Sequence, residues 1–64
     1  MPHLVQIDVE PLDDGSGQAL LYGYDVGGEL YTATAPIGLS RSEMLMLSWQ
    51  HVPGMAESRH LLMR

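Results

Sequence analysis

The chain has 64 residues, 45% of them hydrophobic, and it has no cysteine; this predicts one small folded domain over residues 1–64, without disulfides or thiolate metal sites. Its net charge of −5 argues against direct binding to nucleic acid or to an anionic membrane, because both require a basic surface. No apolar run approaches the roughly 20 residues that span a bilayer, and the beginning of the chain has no basic leader, so we expect a cytoplasmic protein.

The first predicted element is a strand over residues 3–12, where apolar and polar residues alternate. Val5, Ile7 and Val9 then point to one side, which is the pattern of a half-buried strand. The run Asp13-Asp14-Gly15-Ser16-Gly17 follows as a loop.

A hairpin is predicted next, with strands over residues 18–26 and 29–35 joined by a two-residue turn at Gly27-Gly28. This turn sets Val26 opposite Glu29. The side chains that this register brings to one face are those of Leu20, Tyr22, Tyr24, Val26, Glu29, Tyr31, Ala33 and Ala35.

Because this face is mainly apolar, we predict that it is the side of the sheet that faces the core. Val5, Ile7 and Val9 join it if the first strand pairs antiparallel with the second. Asp8 and Glu10 then lie on the solvent side, and a slip of one residue would bury them. The other side chains predicted on this solvent side are those of Asp25, Thr32 and Thr34.

The last part of the chain has a helical pattern. Ser40 and Glu43 form the S-x-x-E capping box, which predicts a helix from Arg41 to His51. Residues 55–63 are a second short element, either a helix or, over residues 59–63, a final strand. The predicted fold is therefore α+β, a three-stranded antiparallel β-meander followed by one or two helices packed on one face; the alternative is a ββαβ-like fold in which residues 59–63 complete the sheet.

No motif indicates an enzyme, a metal site or a cofactor. The loop at Asp13 lacks the alternating ligands and the final glutamate of a calcium loop. His3, His51 and His60 have no metal-ligand spacing, and no G-x-S-x-G or phosphate-binding glycine loop is present. We therefore expect a binding protein without catalytic residues.

The charges are the main functional signal. Residues 1–40 carry six carboxylates and no lysine or arginine, a formal charge of −6, whereas residues 41–64 carry +1. Such a one-signed surface selects partners of opposite sign. The predicted partner-binding residues are Asp8, Glu10, Asp13, Asp14, Asp25 and Glu29. The expected partner is a basic nucleic-acid-binding protein, whose groove such carboxylates would occupy as a mimic of DNA.

An alternative interface lies on the predicted helix, which is apolar around most of its circumference. Met46 and Trp49 are the predicted anchors of a weak homodimer or assembly contact, since methionine adapts to irregular surfaces and tryptophan is enriched at binding hot spots. The alternatives are thus a monomeric inhibitor and a homodimerising structural or regulatory protein.

In its small size, acidity, lack of lysine and order of hairpin strands followed by a capped helix, the chain resembles the small anti-CRISPR proteins encoded by phages and prophages. The resemblance covers the whole chain in layout and rests on no sequence motif. It implies an inhibitor of a type I CRISPR surveillance complex in the bacterial cytoplasm, acting as a DNA mimic without enzymatic activity.

Overall fold

The computed structural model describes residues 2–54, which form a four-stranded antiparallel sheet and one short helix. The sheet order follows the chain, β1-β2-β3-β4. The elements are β1 (Leu4–Pro11), β2 (Gln18–Asp25), β3 (Leu30–Pro36), α1 (Arg41–Leu45) and β4 (Gln50–Val52).

The three predicted strands and their antiparallel order are confirmed to within one or two residues at each end. Their alternating side chains and glycine-rich connections are strong local signals, which is why the strands are recognised without tertiary information. The antiparallel sheet with a helix thus agrees with the predicted α+β class, although the described residues contain four strands and very little helix.

The predicted register of the β2–β3 hairpin is wrong by one residue. Asp25, and not Val26, is the residue that pairs with Glu29, and its N–H donates to the Glu29 carbonyl at 3.1 Å. The turn therefore has three residues, with Gly28 at φ 81° and its N–H bonded to the Asp25 carbonyl at 3.0 Å. This is the geometry of a type I turn followed by a left-handed glycine.

The shift of one residue moves the side chains of β2 to the opposite face relative to β3, whose Tyr31, Ala33 and Ala35 stay on the core face as predicted. The core face carries Ala19, Leu21 and Gly23 of β2, paired with Ala35, Ala33 and Tyr31 of β3. Leu21 is 1% exposed. The prediction that Leu20, Tyr22 and Tyr24 lie on the core face is therefore wrong. They belong to the second face, which carries the following paired side chains: Gln6, Asp8, Glu10, Leu20, Tyr22, Tyr24, Leu30, Thr32, Thr34, Gln50 and Val52.

The chain after β3 covers the core face. The predicted register would instead place Tyr22 and Tyr24 beneath this segment. Small side chains at the centre of the core face let this segment approach closely: a Cβ on Gly23 would lie 2.7 Å from Leu4 Cδ1 and 3.0 Å from Trp49 Cζ3. The partly buried residues packed against the core are Ile7, Leu39, Met44, Leu47 and Trp49.

β1 contributes less to the core than its alternation predicts. Ile7 packs against the core cluster, but Val5 is 54% exposed and Val9 is 44% exposed. For Val5 the reason is an irregularity in the pairing between Leu4 and Gln6. This bulge turns Leu4 into the core, where it is 5% exposed, and leaves Val5 outside.

The capping box of α1 is confirmed. The Ser40 hydroxyl accepts the Glu43 N–H at 3.2 Å, and the Glu43 carboxylate accepts the Ser40 N–H at 3.0 Å. The bond from the Ser40 backbone N–H, followed by a hydrogen bond from the Ser40 side chain, holds the pKa of the Glu43 carboxyl below its ordinary value.

We expect Ser40→Ala to lower the free energy of unfolding by about 1 kcal/mol, because it leaves the Glu43 amide without its cap. Urea denaturation followed by Trp49 fluorescence measures this loss. The matched control is Ser42→Ala, an exposed change one residue past the start of the helix. Equal losses in both variants would show that the cap does not contribute.

The predicted end of the helix at His51 is wrong, because α1 ends at Leu45. The Met46 N–H bonds to the Glu43 carbonyl at 3.1 Å, a tightened last turn, and the Trp49 indole N–H donates to the Met44 carbonyl at 3.0 Å. The chain then returns to the sheet, where β4 pairs with β3. The predicted element over residues 55–63 lies outside the described residues.

Candidate functional site

The six carboxylates predicted to bind a partner lie in three places. Asp8 and Glu10 are exposed on the second face of β1. Asp13 and Asp14 lie in the β1–β2 loop, whereas Asp25 and Glu29 belong to the β2–β3 hairpin at the opposite end of β2. The seven steps along this strand separate the last two pairs by about 23 Å. The prediction that Asp25 lies on the same face as Asp8 and Glu10 is therefore wrong.

One group on the second face combines charge with an aromatic ring. Tyr22 of β2 is paired with Asp8 of β1 on one side and with Thr32 of β3 on the other. Glu10 lies diagonal to Tyr22 on the same face, within reach of a long side chain. We call Asp8, Glu10 and Tyr22 the acid–tyrosine cluster. Antiparallel pairing alone assembles it, since strand partners share a face.

The electrostatics of the cluster are those of a site for cations. The pKa of Tyr22 is raised, first by partial burial and then by the negative charge of Glu10 and a hydrogen bond to it. The Gln6 amide donates to both Asp8 carboxylate oxygens, at 3.1 and 3.2 Å, and so orients that side chain. In the part of the chain that the structure describes, no lysine or arginine forms a salt bridge with Asp8 or Glu10.

A shallow depression lies beside the cluster, between β3 and the chain entering β4. It has a volume of about 190 Å³, below the range of roughly 300 Å³ and more that is usual for small-molecule sites. It has room for a single protruding side chain. Its lining residues are Leu20, Thr32, Ala33, Thr34, Ser48 and Gln50.

Asp25 has a structural role in the hairpin. Its carboxylate accepts the N–H groups of Gly27 at 2.9 Å and Glu29 at 3.0 Å, and the Tyr31 hydroxyl at 3.1 Å. The pKa of Asp25 is lowered, chiefly by the bond from the Glu29 backbone, while partial desolvation opposes the shift. Since Asp25 also pairs with Leu4, it faces away from the acid–tyrosine cluster.

We expect the stability of the protein to fall in acid, partly because of Asp25. A carboxyl whose pKa is lower in the folded state contributes stability above its ordinary pKa of 3.8, and this contribution is lost as the pH falls through the lowered value. Asp25→Asn should therefore flatten the dependence of the urea midpoint on pH in this range. Tyr31→Phe, which removes one of the three donors, should give an intermediate slope. A slope unchanged in Asp25→Asn would contradict the assignment.

Glu29 also makes a local contact. Its carboxylate lies 3.2 Å from His51 Nε2 of β4. The His51 ring packs on Tyr31, with 5.1 Å between the ring centroids. The residues at this end of the sheet thus hold the hairpin to the short fourth strand.

Asp13 and Asp14 remain in solvent. Asp14 accepts the Ser16 N–H at 3.0 Å, and its bonds to Ser16 lower its pKa. This is the hydrogen bonding of an Asx turn. Both carboxylates lie beyond the end of β1 that carries Glu10, so they are neighbours of the acid–tyrosine cluster along the chain.

The two residues of the predicted alternative interface have different environments. Met46 is 78% exposed, just past the end of α1. Trp49 packs against the core cluster, and its indole N–H is bonded to Met44. Of these two residues, Met46 is the one that presents most of its side chain to solvent.

Sequence reasoning missed Tyr22 and Gln6 as members of the site. The predicted register of the hairpin places Tyr22 in the core. The signal for Gln6 was its spacing, since residues i and i+2 of a strand lie on the same face.

No helix of residues 2–54 is long and apolar enough to cross a membrane. The same residues contain no group of three or more histidine, aspartate or glutamate side chains arranged to bind a metal ion. Comparisons with protein-family models, with curated proteins and with solved structures found no match to this chain.

Proposed function

We propose that this protein is a small inhibitory binding protein whose second face docks on a basic, nucleic-acid-binding surface of a partner protein. The observation that carries the proposal is the acid–tyrosine cluster, in which the carboxylates of Asp8 and Glu10 flank the Tyr22 ring without a compensating lysine or arginine among the described residues. An arginine that enters this group can form charge-assisted hydrogen bonds and stack on the ring.

Asp8 and Glu10 are the primary contacts in this proposal, because they are exposed and share the face of Tyr22. Asp13 and Asp14 are secondary contacts that add to the field near one end of β1. Asp25 and Glu29 have no direct role, since both carboxylates are engaged within the hairpin and its contact with β4. The proposal thus keeps the predicted role of an acidic inhibitor. It assigns binding to fewer carboxylates than a mimic of the DNA backbone would use.

The resemblance to anti-CRISPR proteins suggests a specific partner, a subunit of a type I surveillance complex. The charges support the wider class of basic nucleic-acid-binding proteins. Electrostatic attraction across such an interface speeds association and weakens as salt is added, because charges are screened over about 10 Å at 0.1 M ionic strength.

We expect the double variant Asp8→Asn/Glu10→Gln to bind an arginine-rich peptide at least about tenfold more weakly than the unchanged protein, since both cluster charges are lost. Fluorescence anisotropy at several salt concentrations measures the affinity and its salt dependence. The matched control is Asp13→Asn/Asp14→Asn, which changes the net charge by the same amount at another place. Equal losses would show that binding follows net charge and not the cluster.

The inhibitory part of the proposal needs a target. Purified type I surveillance complexes, titrated with the protein in a gel-shift assay with target DNA, test the specific form. Loss of DNA binding that depends on Asp8 and Glu10 supports it. Unaltered DNA binding by these complexes would reject this partner and leave the wider class to be tested with other basic proteins.

The alternative homodimer has weaker support, because Trp49 is committed to the core of its own chain and leaves Met46 as the exposed anchor. Light scattering over a range of concentrations separates the two proposals. A dimer that Met46→Ser dissociates would favour the homodimer.

A further inference from the structure

The outer edge of β1 has peptide groups that face away from the sheet. β1 is the first strand of the sheet, and among residues 2–54 it pairs only with β2. The Leu12 N–H donates to the Gln18 carbonyl at 2.9 Å. Because successive residues of an antiparallel strand point their peptide groups to opposite sides, those of Ile7 and Val9 point outward.

This outward ladder is bounded at both ends. Pro11 contributes a carbonyl but no N–H, so the ladder of donors ends before it. At the other end, the pairing is irregular between Leu4 and Gln6, and the Leu4 carbonyl accepts the Arg41 guanidinium at 3.5 Å. The edge is therefore suited to one short extended segment of about five residues.

The side chains along the edge indicate what this segment is. Val9 is 44% exposed and lies on the side of the core face, whereas Asp8 and Glu10 are exposed on the second face. A second copy of the chain would bring carboxylates against carboxylates, which is destabilising for directly opposed strands. A segment with alternating basic and small apolar residues matches both sides.

We propose that a basic extended segment of the partner protein adds to β1 as a further strand. Its lysines or arginines lie opposite Asp8 and Glu10, and the apolar residue between them lies opposite Val9. Main-chain hydrogen bonds then give affinity, and the alternate side chains give specificity. This inference rests on the proposed function for the charge of the partner, and it adds the mode of binding.

The test uses the acetylated and amidated peptide Thr-Arg-Val-Arg-Thr, labelled for fluorescence anisotropy. Val9→Pro removes the outward N–H and, because that amide does not face β2, leaves the β1–β2 ladder intact. We expect its Kd to rise at least about tenfold. The matched control is Val9→Ala, which removes the side-chain contact but retains the amide, so its Kd should rise clearly less than that of Val9→Pro.

A second measurement uses the unchanged protein, so that it does not depend on the folding of Val9→Pro. N-methylation of the central valine of the peptide blocks the amide that would face β1, while N-methylation of the second arginine blocks an amide that would face away. We expect the first peptide to lose binding and the second to retain most of it.

The outcomes separate this inference from the proposed function. Equal binding of the two N-methylated peptides, together with loss of binding in Asp8→Asn/Glu10→Gln, would overturn the strand addition and leave docking on the second face intact. Peptide binding that does not respond to the charge variant would reject both. A homodimer that Val9→Pro dissociates would assign the edge to a second copy and overturn the inference.

Discussion

Leu21→Ala is expected to unfold a substantial fraction of the protein at room temperature. Leu21 is 1% exposed and is the largest side chain among those that are fully buried in the described residues. Replacing a buried leucine with alanine costs about 2 to 5 kcal/mol, the lost transfer energy plus the cavity. A chain of this length has a total stability of about 3 to 10 kcal/mol, so the loss is comparable to the whole.

Leu20→Ala is the matched control, because the neighbouring residue lies half-buried on the second face. We expect a loss of about 1 kcal/mol there. Urea denaturation and thermal unfolding measured by circular dichroism compare the two variants. The comparison also tests the register, since a hairpin with the two-residue turn would bury Leu20 and reverse the order of the two losses.

Gly23→Val is the second change for which we expect a large effect. A Cβ at this position would lie 2.7 Å from Leu4 Cδ1 and 3.0 Å from Trp49 Cζ3. The leucine methyl can turn away, but the rigid indole must move together with the chain that leads into β4. Overpacking of this kind costs about 1 to 3 kcal/mol, and valine's preference for strands recovers only part of it.

The fluorescence of Trp49, the only tryptophan in the chain, reports this change directly. We expect the emission of Gly23→Val to shift to longer wavelength as the indole becomes exposed. Gly27→Ala is the control, because its Cβ would meet only the Asp25 carboxylate at 3.4 Å. That variant should stay within about 0.5 kcal/mol of the unchanged protein. An unshifted spectrum in Gly23→Val would contradict the close packing of Trp49 on the sheet.

The position of Gly23 explains why the sheet buries its smaller side chains. The segment that covers the sheet is short and carries Trp49 close to the strands, so the face beneath it must be flat at its centre. The larger tyrosine at position 22 then falls on the second face, beside Asp8 and Glu10. The candidate site thus depends on the register of the β2–β3 hairpin, which is set by its three-residue turn.

The sequence by itself determined the strands, their antiparallel order and the start of the helix. Alternation of side chains, glycine-rich loops and the capping box of Ser40 and Glu43 are local signals that act within a few residues. It also predicted that Asp8 and Glu10 are exposed, because two carboxylates at alternate positions of a strand cannot be buried without partners. These two residues are the part of the candidate site that could be predicted.

Only the tertiary structure decided which side of β2 is buried and where the helix ends. Both faces of β2 carry apolar residues, so composition does not choose between them; Asp25 does, by accepting the Gly27 and Glu29 amides and closing a three-residue turn. The apolar residues after Leu45 are compatible with a longer helix and also with a non-helical segment that packs on the core. In the structure this run is a core-packing segment, because Gln50–Val52 pair with β3 and the Trp49 indole N–H donates to the Met44 carbonyl. The pairing with β3 joins residues that only the folded chain brings together.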